Sequence, residues 1–278
     1  MDLFSRTVHR VSKVSAGPPA WLFPPDSVTW RVGREAALLL GGGRALLLQL
    51  AHPRVAAGVA EHSDFRSRPL GRLVRTLEVT LALSFGTRSQ ALEAARTINR
   101  THERVRGQGY TATDPRLLLW VHATLIDSVF VTHDAFVRRL TPEERQAYYE
   151  EAQVVGSLLG IPAGSYPGRL EGFEGYVRDM LSLGSGTSEL DVDDRARALA
   201  AAVLRPPKPL GLTFLPVPAI TAGLLPAELR EAYRLPWGRP ERAAFGAVRA
   251  AVPRVLPVLP ARLRYLRPPT RMGTHPPT

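Results

Sequence analysis

Between residues 32 and 204 apolar side chains recur at the spacing of a helix almost without interruption, and nowhere do apolar and polar residues alternate convincingly enough to predict a strand. The spacing predicts helices over 32–51, 53–61, 69–85, 88–107, 114–139, 142–159, 169–183 and 191–204, with shorter ones over 226–235, 240–252 and 257–266. Two starts are marked sharply. Asp114-Pro115 and Thr141-Pro142-Glu143-Glu144 each set a capping side chain before a proline, whose missing N–H and fixed φ suit the first helical position. The expected fold class is all-α, a single multi-helix domain with a Pro-rich helical extension at its C-terminal end.

One stretch departs from simple periodicity. The apolar run from Ala36 to Ala51 is interrupted by Gly41-Gly42-Gly43 and contains Arg44, so it falls short of the roughly 20 apolar residues that span a bilayer. It reads as a buried helix pair or a kinked helix. The glycines suit close helix packing, or the approach of backbone to a flat cofactor, and packing is the favoured reading.

Segment 1–29 carries Pro18, Pro19, Pro24 and Pro25 and is expected to be an arm pinned by Trp21, Phe23 and Trp30. Residues 30–266 form the helical domain. Fifteen of the 25 prolines lie beyond Arg205, which keeps the helices there short, and 267–278 is expected to be a disordered tail.

Charge and composition narrow the function. The formal net charge is +11, carried almost wholly by arginine, since Lys13 and Lys208 are the only lysines. The arginines are dispersed and aromatic content is 7%, so the clustered cations and stacking rings of a nucleic-acid protein are missing. Peripheral contact with an anionic membrane is a better use of that charge. Met1-Asp2-Leu3-Phe4-Ser5-Arg6 opens without an apolar signal region or paired arginines, so the protein is expected in the cytoplasm, at most adhering to membrane. No cysteine is present, which rules out thiolate ligands and directs any metal to histidine, carboxylate or a cofactor. Hydrolase elbows, zinc-protease motifs, phosphate loops and dinucleotide fingerprints are likewise missing from the sequence.

Two clusters remain as candidate chemistry. Arg72, Arg75 and Thr76 fall at i, i+3 and i+4, on one face at the head of an apolar stripe that continues through Val79 and Leu83. A second stripe, Ala91, Ala95, Ile98, His102 and Val105, is interrupted by His102, and an imidazole there needs a polar partner or a metal. Haem iron suits an apolar pocket with one histidine. Of the other histidines, His52 is expected to cap the end of the preceding helix, His62 to sit in a hydrogen-bonded turn, and His122 and His133 to pair with neighbours such as Asp127 or Asp134. Asp191, Asp193 and Asp194 read as a helix start rather than a calcium loop.

The run Gly42-Gly43-Arg44-Ala45-Leu46-Leu47-Leu48-Gln49-Leu50-Ala51-His52-Pro53 opens an ordered set of elements. It is followed by Glu61-His62-Ser63-Asp64-Phe65, Arg75-Thr76, Phe85-Gly86-Thr87, His102-x-x-Val105-x-Gly107 and Tyr110-x-Ala112-x-Asp114-Pro115. Trp120 through Ser128, Tyr148-Tyr149-x-Glu151 and Gly160-Ile161-Pro162 complete the set. In order and spacing it resembles the rubber-oxygenase catalytic-domain family, which includes latex-clearing dioxygenases and MpaB-type oxygenases. The resemblance implies an all-α domain enclosing a pocket for haem b, with His102 as the proximal iron ligand. It also implies that Arg72, Arg75 and Thr76 line the distal, oxygen-binding side. Arg75 stands where the latex-clearing enzymes have lysine, and Glu61 is the nearest candidate for their distal glutamate. The function so implied is oxygenation of a small hydrophobic, unsaturated substrate by dioxygen, with cleavage of C=C into two carbonyls. A non-catalytic haem sensor or carrier, and a haem-free helical protein binding a lipid or a partner, are the alternatives.

Overall fold

The computed structural model describes residues 21–62, 69–204 and 216–266, with the side chains of 69–75 excepted, so the first part of the expected arm and the expected tail at 267–278 lie outside the described residues. The architecture is all-α. The helices are α1 (Val28–Gly33), α2 (Gly42–Leu50), α3 (Pro53–His62), α4 (Pro69–Phe85), α5 (Arg88–Arg104), α6 (Pro115–Phe136), α7 (Pro142–Leu158), α8 (Leu170–Leu181), α9 (Asp194–Leu204), α10 (Pro216–Leu224), α11 (Ala227–Ala232), α12 (Arg239–Val255) and α13 (Ala261–Arg264).

Helix α6 is the axis of the molecule. It is apolar on nearly every side and buries Leu117, Trp120, Ala123, Ile126, Phe130 and Phe136, the pattern of a helix surrounded by others. Asp114 caps it, its carboxylate accepting from the Arg116 N–H at 2.9 Å. One core joins α2, α6, α9 and α11 through Leu47, Leu48, Trp120, Leu199 and Leu229. A second joins α1, α6, α7 and α8 through Val32, Ile126, Phe130, Tyr149 and Phe173. Helices α4 and α5 form a hairpin across Gly86-Thr87, where fully buried Ala91, Ala94 and Ala95 let the two backbones approach.

The predicted helix 32–51 is three pieces. Helix α1 ends at Gly33, a 3-10 turn spans Ala36–Gly41, and α2 begins at Gly42. The break lies at Glu35, whose extended backbone bridges to Tyr265 while its buried carboxylate holds the Arg264 guanidinium at 2.8 Å. Tertiary pairing thus overrides local periodicity. The glycines there serve packing: a Cβ on Gly41 would fall 2.1 Å from Thr132 Oγ1, and one on Gly43 the same distance from Thr221 Oγ1. Arg44 is buried with all its reach used, donating to Asp127 Oδ2 at 2.6 Å, Ser128 Oγ at 2.8 Å and the Leu224 carbonyl at 2.9 Å.

Three further departures have physical causes. The helix predicted to 107 stops at Arg104, because Val105 is extended and a two-residue hairpin follows, β1 (Arg106–Gly107) with β2 (Tyr110–Thr111), turned by Gly109 at φ +79°. Helix α10 was not predicted, yet Pro216 and Pro218 sit in its first turn, where proline costs no hydrogen bond. The arm reaches only to Ser27, where α1 is capped. Its end is pinned as expected, with Trp30 Nε1 donating to the Phe23 carbonyl at 2.9 Å and Trp21 packed edge-on against Trp30. Among the described residues, no helix is long and apolar enough to cross a membrane.

Candidate functional site

The end of α5, the β1–β2 hairpin, one face of α3 and the first turns of α6 enclose a cavity of about 400 Å³, within the size range of small-molecule and cofactor sites. Val55 and Val59 from α3, Val105, and Leu117, Leu118 and Val121 from α6 make its walls apolar. Gly58 faces the cavity and keeps α3 close to the Tyr110 ring, which a Cβ would touch at 3.3 Å.

His102 enters this cavity from the last turn of α5. Its Nδ1 is buried and has no protein partner. Burial alone pushes the ring's pKa below the usual histidine value, so at neutral pH it is an uncharged imidazole with one ring nitrogen carrying a free lone pair. That is the form that ligates a metal. Among the described residues no group of three or more histidines and carboxylates converges as a metal cage.

Polar groups also line the cavity, among them Gln49, Arg54, His62, Thr101 and Tyr110. Arg54 lines one edge, with Asp114 at 3.9 Å. His62 also lines it, but its Nε2 is engaged with the Arg106 carbonyl at 3.0 Å. The Tyr110 hydroxyl donates to Glu61 Oε2 at 2.7 Å, and its pKa is pushed up to about 12 by burial and then by that carboxylate, so it keeps its proton. This pair needs a bare Gly107, since a Cβ there would lie 2.5 Å from the Tyr110 ring and 2.7 Å from Glu61 Oε2.

The remaining sequence candidates fall as follows. Thr76 lies on α4 and is exposed, its carbonyl accepting from Thr80 Oγ1 at 2.8 Å, and it is not among the described lining residues. Arg72 and Arg75 occupy the first turns of the same helix, and their side chains lie outside the described residues. The α4–α5 hairpin brings these turns and the His102 turn to its same, open end.

Three histidines take partners other than those the sequence suggested. His52 accepts from the Arg54 N–H at 3.2 Å and faces Glu189 at 3.5 Å, so it caps the start of α3 instead of the end of α2. His133 bonds the Arg138 carbonyl at 2.7 Å, while Asp134 serves Arg145 and the Leu140 N–H. His122 pairs with Tyr166, its Nδ1 2.7 Å from the hydroxyl. A Cβ on Gly156 would strike that hydroxyl at 1.7 Å.

Burial holds the His122 pKa down near 4. An unfolded imidazole takes its proton near pH 6.5, so between about 6.5 and 4 the unfolded chain binds a proton that the folded one refuses. Stability contributed by the neutral ring is therefore complete above pH 6.5 and lost as pH falls through that window, by roughly 3 kcal/mol at its acid end. Denaturant unfolding across the window, with the ring followed by NMR, checks this; a His122 that titrates near 6.5 in the folded protein contradicts it.

What the sequence missed is which residues line the cavity beside His102. Tyr110, Gly58 and Val121 carry no signal in a single-helix pattern, because their roles depend on which elements face one another. A family model described as the catalytic domain of ER-bound oxygenase mpaB/B′ and rubber oxygenase matches residues 30–254. Similar chains include the uncharacterised proteins Rv2237 of Mycobacterium tuberculosis and Mb2261 of Mycobacterium bovis. Each is 27% identical over 210 residues, covering 72% of this chain and 81% of the relative. No solved structure matches the chain significantly.

Proposed function

From the premise that this chain belongs to the mpaB/B′ and rubber oxygenase catalytic-domain family, we propose that it is a haem b-dependent oxygenase acting on a hydrophobic, unsaturated substrate, with His102 as the proximal ligand. The observation that carries this reading is the unpartnered Nδ1 of a neutral, half-buried His102 in an apolar cavity. The residues fit the group. Aliphatic side chains would suit the macrocycle, the Arg54 guanidinium would suit a propionate, and the His102 imidazole would hold the iron.

When bound, haem supplies the one-electron and oxygen chemistry that no side chain can provide. The chain's own residues do the rest. His102 would hold the cofactor through its imidazole, and the valine and leucine side chains of the lining would limit the water beside it. Arg72, Arg75 and Thr76 start at the same end of the α4–α5 hairpin as His102, and their guanidinium N–H groups and hydroxyl would stabilise negative charge developing on the reacting oxygen. The Tyr110 hydroxyl keeps its proton against Glu61 and fixes that carboxylate near the cavity. Alkene and dioxygen combine into two carbonyl products, so the reaction balances without a further reductant.

Thr76→Val and Arg72→Ala are expected to keep the haem spectrum and to lose on the order of 100-fold in turnover, the usual loss for one preorganised donor. Oxygen uptake and carbonyl formation with polyisoprene-like, fatty and terpenoid alkenes measure it. Native rates in both variants would remove the distal assignment, and loaded protein inert toward every alkene would favour a haem sensor or carrier.

A further inference from the structure

The C-terminal part of the fold carries an outward face that the reaction does not use. From Arg242 to the last residue the sequence holds seven arginines and no aspartate or glutamate, so this stretch supplies seven of the chain's eleven net positive charges. Helix α12 turns Phe245, Val248 and Val252 inward against Phe136, Ile220 and Leu224, and Leu256 closes the same cluster. Arg242, Arg249 and Arg254 are exposed along α12, and Arg262 is exposed on α13. None of these four takes part in an ion pair among the described residues, in contrast to Arg264, which is tied to Glu35.

Exposed aliphatic side chains gather on the same part of the surface. Among the described residues five large apolar side chains have high exposure, and four belong here: Val255 at 46%, Val258 at 78%, Leu263 at 60% and Leu39 at 52%. Leu39 comes from the 3-10 turn Ala36–Gly41, against which α13 packs, and the Glu35–Tyr265 bridge fastens the two segments together. A soluble surface scatters such residues singly; clustered apolar groups rimmed by one sign of charge mark a binding face.

We infer that this face, which exposes Val255, Val258, Leu263 and Leu39 together with Arg242, Arg249, Arg254 and Arg262, docks the protein on an anionic lipid surface. The chemistry selects the occupant. Aliphatic side chains gain from leaving water for the acyl boundary, while guanidinium groups meet lipid phosphates with paired N–H donors. A second copy of the same face would set unpaired arginines against arginines, a like-charge contact that is costly in a closed interface. Nucleic acid would engage the arginines and leave Val258 and Leu263 in water, and the nearby Tyr265 ring already carries the Arg34 and Arg264 guanidiniums at 4.2 and 5.0 Å. The face is separate from the His102 cavity, so the inference does not rest on haem.

Co-sedimentation of the full chain with vesicles of phosphatidylcholine, with and without phosphatidylglycerol, tests it. The native protein is expected to pellet with the anionic vesicles and to remain in solution with the neutral ones. Each arginine near an anionic leaflet is worth about a factor of five in binding, so Arg249→Ala with Arg262→Ala lowers affinity by roughly tenfold or more. Val258→Asp with Leu263→Asp lowers it comparably, and because these side chains are exposed, the melting curves of both double variants stay native. Equal pelleting with neutral and anionic vesicles, no pelleting at all, or native binding by either double variant overturns the inference. So does a sedimenting dimer that Val258→Asp dissociates, or tighter binding to duplex oligonucleotide than to vesicles.

Discussion

His102→Ala is expected to lower haem affinity by about 100-fold or more, whereas His62→Ala leaves it near native. The two histidines line the same cavity, which makes the comparison sharp. His62 already spends Nε2 on the Arg106 carbonyl, while His102 has a buried nitrogen that nothing in the protein satisfies. Changing even a partner of a metal-bound histidine costs about 10- to 100-fold in affinity, and losing the ligand itself costs more. The readout is competition for haem against apomyoglobin. His52→Ala serves as an outside control, since His52 is committed to the Arg54 N–H and Glu189. Retention of haem by His102→Ala together with its loss in His62→Ala would move the ligand to the other side of the cavity.

The second large effect concerns stability. Asp127→Ala is expected to destabilise the fold by about 3–5 kcal/mol, because it strands a buried guanidinium whose alternative, hydration, is closed to it. Arg44 is only 3% exposed, and its remaining partners, Ser128 Oγ and the Leu224 carbonyl, are neutral. For a chain of this size that corresponds to a drop of roughly 10 °C in Tm. Arg44→Met with Asp127→Ala removes the charge as well as its partner, and is expected to recover much of the loss; set against both single variants, it gives the coupling between the two residues. A cost below about 1 kcal/mol for Asp127→Ala would show that Arg44 is hydrated or paired by another group.

Local chemistry was the legible part of this fold. Thr141 caps α7 ahead of Pro142 as its position predicts, and α4 runs over the predicted residues 69–85. Both are set by side chains within one turn of the affected backbone. The break at Glu35 was not legible, because its cause is Arg264, more than two hundred residues away in sequence. Helix α10 escaped notice for a related reason: it is apolar throughout and proline-rich, and only its packing on α12 and α2 makes it a helix. Periodicity placed His102 on an apolar stripe, and the structure adds the unsatisfied nitrogen. The partners of His122 and His133 could not be found from nearby aspartates, since Asp127 turns to Arg44 and Asp134 to Arg145. Partner choice is a tertiary property, and sequence spacing on one helix does not contain it.

An optical titration of the purified native chain with haemin puts the central claim to its most direct test. Haemin is expected to form a saturable complex of one haem per chain, with a Soret band displaced from that of free haemin and changing on reduction as an imidazole-ligated iron does. A Soret band that stays where free haemin has it at every ratio, or one that His102→Ala reproduces unchanged, would contradict it.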